Sequence, residues 1–195
     1  MGFVVARPSV TKHLGDLYER MPSFSEEAVP AFKQMHKEVS AQFEQLQKHL
    51  KVETVDHDPY QSPAHMFEDV RQNRRLKVLS SEVTGGHPIF GVEGNDQFRA
   101  VHDFIGHFGT QRGFDRHGEE AAYLAHARTM SPLARRALAT ETRGQNSYLI
   151  TRGQFTDNKI GLLPPQFSGT QGFARSGELP DVERQARQFH RQQGL

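Results

Sequence analysis

The chain of 195 residues has a length typical of one domain, and its net charge of +1 gives no field that would attract DNA or an anionic membrane. It contains no cysteine, which excludes disulfides, thiolate metal ligands and a cysteine nucleophile. With 11 histidines and an apolar fraction of 35%, the composition favours a modest core and directs attention to histidine chemistry. We therefore expect neither nucleic acid nor a membrane as a partner.

The N-terminal part of the chain predicts an irregular segment followed by a helix. Residues 1–24 contain two prolines, at positions 8 and 22, and are expected to be irregular. A helix should begin near Ser25, because apolar residues recur every three or four positions between Phe32 and Leu50. These apolar residues are expected to lie in the core.

A small β element is expected before the histidine-rich part of the chain. Ser62, followed by a proline, predicts the start of a helix that ends near Asn73. Val52–Val55 is a candidate strand, and Leu76–Leu79 and Pro88–Phe90 form a candidate β-hairpin around two glycines. The pattern predicts a mainly α-helical (α+β) fold, with a helical metal-binding core and a small β-hairpin.

Three further helices are predicted in the second half of the chain. Asn95 is a candidate N-terminal cap of a helix that runs through Ile105. A second helix should cover about 119–129, and Ser131 should open a third that ends near Gly144. These helices contain the residue types that carry chemistry.

The domain organisation predicted from composition is one helical metal-binding domain over residues 1–165. Residues 166–195 are expected to form a polar linker and a C-terminal docking helix, about 180–192, through which a protein partner could bind. The apolar run at the N-terminus is too short for a signal peptide, and no stretch reaches the length of a membrane span. A cytoplasmic location is expected.

The stretch Arg99–His107 contains two histidines that are five positions apart, His102 and His107. On a regular α-helix this spacing puts them about 140° apart, so they could not both face one ion. Gly106 lies between them and tolerates the backbone values that bend or end a helix. We expect the helix to break there, so that both imidazoles face the same point.

A third ligand is expected on a later helix. Glu141 shares a face with Ala134 and Leu138, so its carboxylate should be buried on an apolar stripe. An unpaired buried carboxylate is costly, and a divalent metal held with His102 and His107 would offset that cost. Two histidines and one carboxylate form the facial triad of non-haem iron(II) oxygenases.

The sequence His-Asp-Phe-Ile-Gly-His at 102–107 resembles the His-Glu-Leu-Leu-Gly-His iron motif of the pterin-dependent aromatic amino acid hydroxylases. In that family both histidines bind iron, and a downstream glutamate is the third ligand. Glu141, 34 residues after His107, matches that glutamate, and Asp103 stands at the family's acidic position. The resemblance covers residues 98–146.

The resemblance implies an iron(II)-dependent monooxygenase that hydroxylates a small organic substrate with dioxygen. Asp103 would then be a catalytic residue that orients His102 or a bound water. Reduced pterin is a candidate electron donor, but the family's substrate-binding arginine has no counterpart in a matching context. The iron ligands are therefore the part of the resemblance that carries over.

The residues after Glu141 are dense in hydrogen-bonding side chains. Arg143, Gln145, Asn146 and Tyr148 are candidate substrate-binding residues, since a pocket that binds a polar ligand needs such groups. The same composition is equally typical of a helix C-terminus.

Three other interpretations stay open at this point. Asp103 with His107, and Glu119 with His126, share helix faces and could hold two metals in a helical bundle. A zinc-dependent hydrolase could use two histidines and a glutamate in the same way. The histidines and glutamates could instead form a buried polar network in a non-catalytic structural or assembly protein.

Overall fold

The structure is a computed structural model that describes residues 6–172, and in this part of the chain the fold is mainly α-helical with one small β element, as predicted. The helices are α1 (Pro8–Arg20), α2 (Val29–Gln47), α3 (Pro63–Asn73), α4 (Ser81–Thr84), α5 (Gly91–His102), α6 (Arg116–Ala127), α7 (Pro132–Ala139) and α8 (Gln145–Arg152). The strands are β1 (Lys51–Val55) and β2 (Arg75–Leu79). Two π-helical segments, the first π turn (Asp103–Phe108) and the second π turn (Thr140–Gly144), extend α5 and α7. Short 3₁₀ turns cover Glu26–Ala28 and Pro165–Ser168.

The first helix corrects the expectation that residues 1–24 are irregular. Pro8 lies in the first turn of α1, where its missing N–H costs nothing, and Pro22 lies beyond the end of the helix. Leu14 and Tyr18 are buried, and α1 packs against α8. The prolines therefore delimit a helix rather than prevent one.

The predicted amphipathic helix is confirmed as α2. It begins at Val29, after the 3₁₀ turn, and its proline lies in the first turn. Phe32, Met35 and Val39 have no exposed surface. Helix α2 packs against α7 and against α5, the helix that carries His102.

The β element is a parallel pair of strands, and the predicted hairpin is not formed. Strand β1 contains the candidate strand, and Val52 pairs with Leu76 of β2. Parallel strands need a crossover, which the predicted helix α3 supplies. Pro88–Phe90 is a turn instead of a strand, closed by a bridge between His87 and Gly91.

The start of α5 corrects the role predicted for Asn95. The helix begins four residues earlier, at Gly91, whose φ of +68° suits glycine. Asn95 is buried inside the helix and its amide donates to Ser81 Oγ at 2.9 Å. The Asn95 side chain therefore forms a tertiary hydrogen bond and does not cap the N-terminus of α5.

The helix opened by Ser131 runs further than predicted. Ser131 Oγ accepts the N–H of Ala134 at 3.4 Å, as a cap should. The helix does not end at Gly144, because the second π turn leads directly into α8. The helix ends at Gly153, which has the left-handed φ of +70° typical of this position.

After α8 the chain returns across the core. Phe167 is fully buried, so the described core extends just past residue 165. The predicted docking helix, about 180–192, lies outside the described residues. No helix within 6–172 combines the length and the apolar character needed to cross a membrane.

Candidate metal centre

The first π turn aligns the two histidines of the motif. A π helix closes its hydrogen bonds between residues five apart, so His102 and His107 come onto one side of the helix. Their ring centroids lie 5.3 Å apart, edge to face. The five-residue spacing of the histidines correctly predicted a departure from regular α-helical geometry. The predicted break at Gly106 is wrong, because the helix widens into the first π turn and continues.

Gly106 has a different role from the one predicted for it. It is not among the described glycines with positive φ. A Cβ atom at this position would lie 2.8 Å from Ala122 Cβ and 3.1 Å from Ala122 Cα, both in α6. The absence of a side chain therefore lets α6 pack directly on the first π turn, and α6 carries Glu119.

His102, His107 and Glu119 form the group of potential metal ligands in the described chain. One ligand atom from each residue lies within 4.8 Å of the other two. His107 Nε2 is 3.7 Å from Glu119 Oε1. The two histidines are buried, at 8% and 2% exposure, and the glutamate side chain is 16% exposed. Two imidazoles and one carboxylate at this spacing suit a divalent transition metal.

The hydrogen bond of His107 defines its tautomer. His107 Nδ1 lies 3.1 Å from the carbonyl oxygen of Arg112, which can only accept, so Nδ1 carries the proton. Burial lowers the pKa of His107, which favours the neutral ring. The lone pair is then on Nε2, the atom that faces Glu119.

The tautomer of His102 follows from a chain of hydrogen bonds. Gln42 donates to Thr129 Oγ1 at 2.9 Å, so its Oε1 is free to accept from His126 Nε2 at 3.1 Å. Burial lowers the pKa of His126 to about 3, so the ring is neutral and its Nδ1 must accept. His102 Nδ1, 3.3 Å away, is therefore the donor, and His102 Nε2 holds a lone pair with no hydrogen-bond partner in the described chain.

The carboxylate of Glu119 is held by a side chain from the facing helix. The Asn146 amide donates a hydrogen bond to Glu119 Oε2. Burial raises the pKa of Glu119 to about 8, and the nearby charge of Asp103 acts in the same direction. Burial likewise raises the pKa of Asp103 to about 7, although the positive charge of Arg99 opposes the shift. Two carboxyl groups in this environment repel each other when both are ionised.

A cleft of about 1070 Å³ borders the candidate metal centre. His102 lines it directly. Phe114, which packs on the ring of His107 at 4.7 Å, and Asn146, which holds Glu119, line it as well. Of the three candidate ligand residues, His102 lines the cleft, and His107 and Glu119 each contact a residue that does.

Glu141, predicted as the third ligand, lies in the same cleft but outside the group within 4.8 Å. Its Oε1 is 3.5 Å from Nε2 of His87, and both side chains are buried. The geometry brings Glu119 to the two histidines in its place. In the sequence, the only signal for Glu119 was its shared face with His126, and no pattern indicated His87, which lies in a turn.

Asp103 was predicted as a catalytic residue, and it lines the cleft next to His102. Gln145 and Asn146, predicted as substrate-binding residues, line it too. The Gln145 amide donates to Asn158 Oδ1 at 2.7 Å, which fixes its orientation. These residues are placed where a substrate in the cleft could contact them.

The other two predicted substrate-binding residues do not line the cleft. Arg143 is buried, forms an ion pair with Glu120, donates to the Phe167 carbonyl at 2.6 Å and lies 3.9 Å above the ring of Tyr123. Its guanidinium joins helices together. Tyr148 is 8% exposed, and its ring packs against α1.

The dinuclear interpretation requires His126 as a ligand, and its hydrogen bonds occupy both ring nitrogens. Nδ1 is bonded to His102 and Nε2 to Gln42. His126 therefore supports a ligand rather than acting as one.

Comparisons with protein-family models, curated proteins and solved structures find no match for this chain.

Proposed function

We propose that the protein is a metal-dependent enzyme with one divalent ion bound by His102, His107 and Glu119, and that the ion is iron(II) in an oxygenase-type site. The observation that carries the proposal is the convergence of two Nδ1-protonated imidazoles and one carboxylate beside a cleft. A facial set of two histidines and one carboxylate leaves the remaining coordination positions open, as non-haem iron(II) oxygenases require.

The residues around the ligands support this function. The Arg112 carbonyl and His126 accept the Nδ1 protons of the two ligand histidines, an arrangement that orients the rings and increases the basicity of Nε2. Asn146 holds the carboxylate of Glu119. Bound iron would supply the chemistry that activates dioxygen toward an organic substrate in the cleft. The protein residues bind that substrate, orient it and exclude water.

A zinc-dependent hydrolase is the second candidate. Zinc hydrolases use the same donor set, with a water molecule in the open position and a nearby carboxylate as general base. Asp103 lines the cleft next to His102, where such a base would be needed. The two candidates predict different metals in the same ligand set.

Metal analysis tests the site and separates the two candidates. Protein purified without chelators should contain about one iron per chain if it is an oxygenase, and about one zinc if it is a hydrolase. Iron-loaded protein should consume oxygen in the presence of a reductant, and assays with and without reduced pterin test that donor. If purified protein holds no metal and the apoprotein takes up neither ion under anaerobic titration, the proposal is wrong.

Matched variants test which glutamate is the ligand. Glu119→Gln should lower the metal affinity strongly, because an amide is a poor ligand for iron or zinc. Glu141→Gln makes the same change at a residue outside the ligand group and should leave one equivalent bound. If Glu141→Gln abolishes binding and Glu119→Gln does not, the ligand set predicted from the sequence is correct instead.

A further inference from the structure

Glu141 has a buried carboxylate whose Oε1 accepts no hydrogen bond within the described chain. The residue is 3% exposed and lines the cleft, and its Oε1 has no hydrogen-bond partner within residues 6–172. A buried carboxylate without a donor is costly. In native proteins such a group calls for an explanation, such as a catalytic role or a bound ligand that completes it.

His87 is close to Glu141 but does not satisfy it. His87 Nδ1 accepts the backbone N–H groups of Ile89 and Phe90, both at 3.1 Å, so the ring proton is on Nε2. The ring also stacks on Phe90 at 3.8 Å between centroids, which fixes its orientation. Nε2 stays 3.5 Å from Glu141 Oε1 without forming a hydrogen bond. Glu141 therefore keeps the capacity to accept from a donor in the cleft.

The charges that line the cleft are predominantly negative. Asp58, Glu141 and Asp157 line it, without counting Asp103, whose raised pKa leaves it only partly ionised near neutral pH. Among the residues that line the cleft, the positive charge comes from Arg99. Its guanidinium already donates hydrogen bonds to the Leu79 carbonyl at 2.6 Å and to Thr84 Oγ1 at 2.8 Å. In the metal-free cleft such a field attracts a cation and repels an anion.

The walls of the cleft also present apolar and aromatic surface. Residues of this kind in the lining include Tyr60, Met66, Phe98, Phe114 and Phe155. Aromatic faces attract organic cations, and an apolar chain gains free energy by burial against them. A volume of about 1070 Å³ is large enough for a small organic molecule.

We propose that the substrate is an organic cation, with a primary ammonium or guanidinium head at Glu141 and an apolar body along the aromatic walls. This inference rests on the proposed function, because it names the substrate class of the same cleft. The ammonium group has two sources, a free amine or the side chain of a lysine in a polypeptide. Either would donate the hydrogen bonds that Glu141 lacks.

Calorimetric titration with three probes of equal chain length tests the inference: hexylamine, 1-hexanol and hexanoate. The titrations use both metal-free and metal-loaded protein, and the affinities are compared in the metal-free arm, where neither the amine nor the carboxylate can coordinate to an ion. Hexylamine should bind at least about tenfold more tightly than hexanol, and hexanoate should bind most weakly. Glu141→Gln should weaken hexylamine binding about tenfold to a hundredfold and leave hexanol binding unchanged.

Glu93→Gln is the matched control, since Glu93 is exposed on α5 and does not line the cleft. It should leave all three affinities unchanged. If Glu141→Gln does not fold, Asp157→Asn at an exposed lining position should reduce the preference for hexylamine over hexanol. The inference is overturned if the variants bind hexylamine as tightly as the unaltered protein, or if hexanoate binds as tightly as hexylamine.

The two proposals fail in different ways. If the protein binds no metal but prefers the amine through Glu141, the proposed function is wrong and the cation site stands. If it binds metal and shows no preference for the amine, the metal centre stands and the cation site is wrong. Comparison of hexylamine with a lysine-containing peptide then distinguishes the sources, since the tighter ligand identifies the natural one.

Discussion

The Nδ1 atoms of His102 and His126 lie 3.3 Å apart, and the second histidine determines the protonation pattern of the first. His126 donates from Nε2 to Gln42, so its Nδ1 can only accept. This leaves the Nε2 lone pair of His102 available beside His107 and Glu119. A residue outside the candidate ligand set is thus expected to influence the metal affinity of the proposed site.

His126→Phe should lower the metal affinity about 10- to 100-fold, the range found when a residue that orients a ligand is lost. Phenylalanine fills a similar volume but cannot accept the Nδ1 proton of His102. The measurement is a competitive metal titration of folded protein. His49→Phe changes an exposed histidine and should not alter the affinity. Equal affinities for both variants would contradict the role given to His126.

Gly106→Ala should destabilise the protein by about 1–3 kcal/mol and weaken metal binding. The added methyl group would lie 2.8 Å from Ala122 Cβ, so α6 would have to move and take Glu119 with it. Gly109→Ala is the control, because its nearest contact would be at 3.5 Å, and the higher helix propensity of alanine should keep or raise stability. Urea denaturation and metal titration measure both effects. A fully stable Gly106→Ala protein with unchanged affinity would show that the close approach of α6 is unnecessary.

Arg143→Met should destabilise the fold by about 3–5 kcal/mol, because it leaves Glu120 buried without its ion-pair partner. Lys51→Met removes an exposed cation, whose side chain is 74% exposed, and should have a far smaller effect on the free energy of unfolding. Chemical denaturation at neutral pH compares them. If Arg143→Met instead keeps full stability and loses only substrate binding, the role predicted from the sequence is correct.

Asp69 should make stability depend on pH at the acid end. Burial alone would raise the pKa of Asp69, but hydrogen bonds from Arg75, Asn73 and Tyr60 outweigh it and lower the pKa below the ordinary 3.8. The stabilisation is therefore complete above pH 3.8 and is lost as the pH falls through the lower pKa of the folded state.

Asp69→Asn should accordingly be less stable than the unaltered protein at pH 7, and the difference should shrink toward zero at pH values below the folded pKa. Urea denaturation over a series of pH values measures this difference. A constant difference across the series would mean that packing, rather than the charge of Asp69, stabilises the β1–α3–β2 unit.

Local signals in the sequence predicted several elements well. Phe32, Met35 and Val39 marked the buried face of α2, and the Ser62 cap placed the start of α3. These features depend on neighbours three or four residues away, which periodicity and capping rules describe. Asn95 shows the limit of such rules, because its amide is satisfied by Ser81, a residue in another helix.

The sequence by itself determined that the fold is mainly helical and that His102 and His107 could meet only if the helix between them departed from regular geometry. Only the tertiary structure decided that the departure is a π turn and that a carboxylate oxygen of Glu119, rather than of Glu141, lies within 4.8 Å of a ring nitrogen of each histidine. The physical reason is packing between helices. The contact of Gly106 with α6 sets the position of Glu119 relative to the histidines, and spacing along one chain carries no information about that contact.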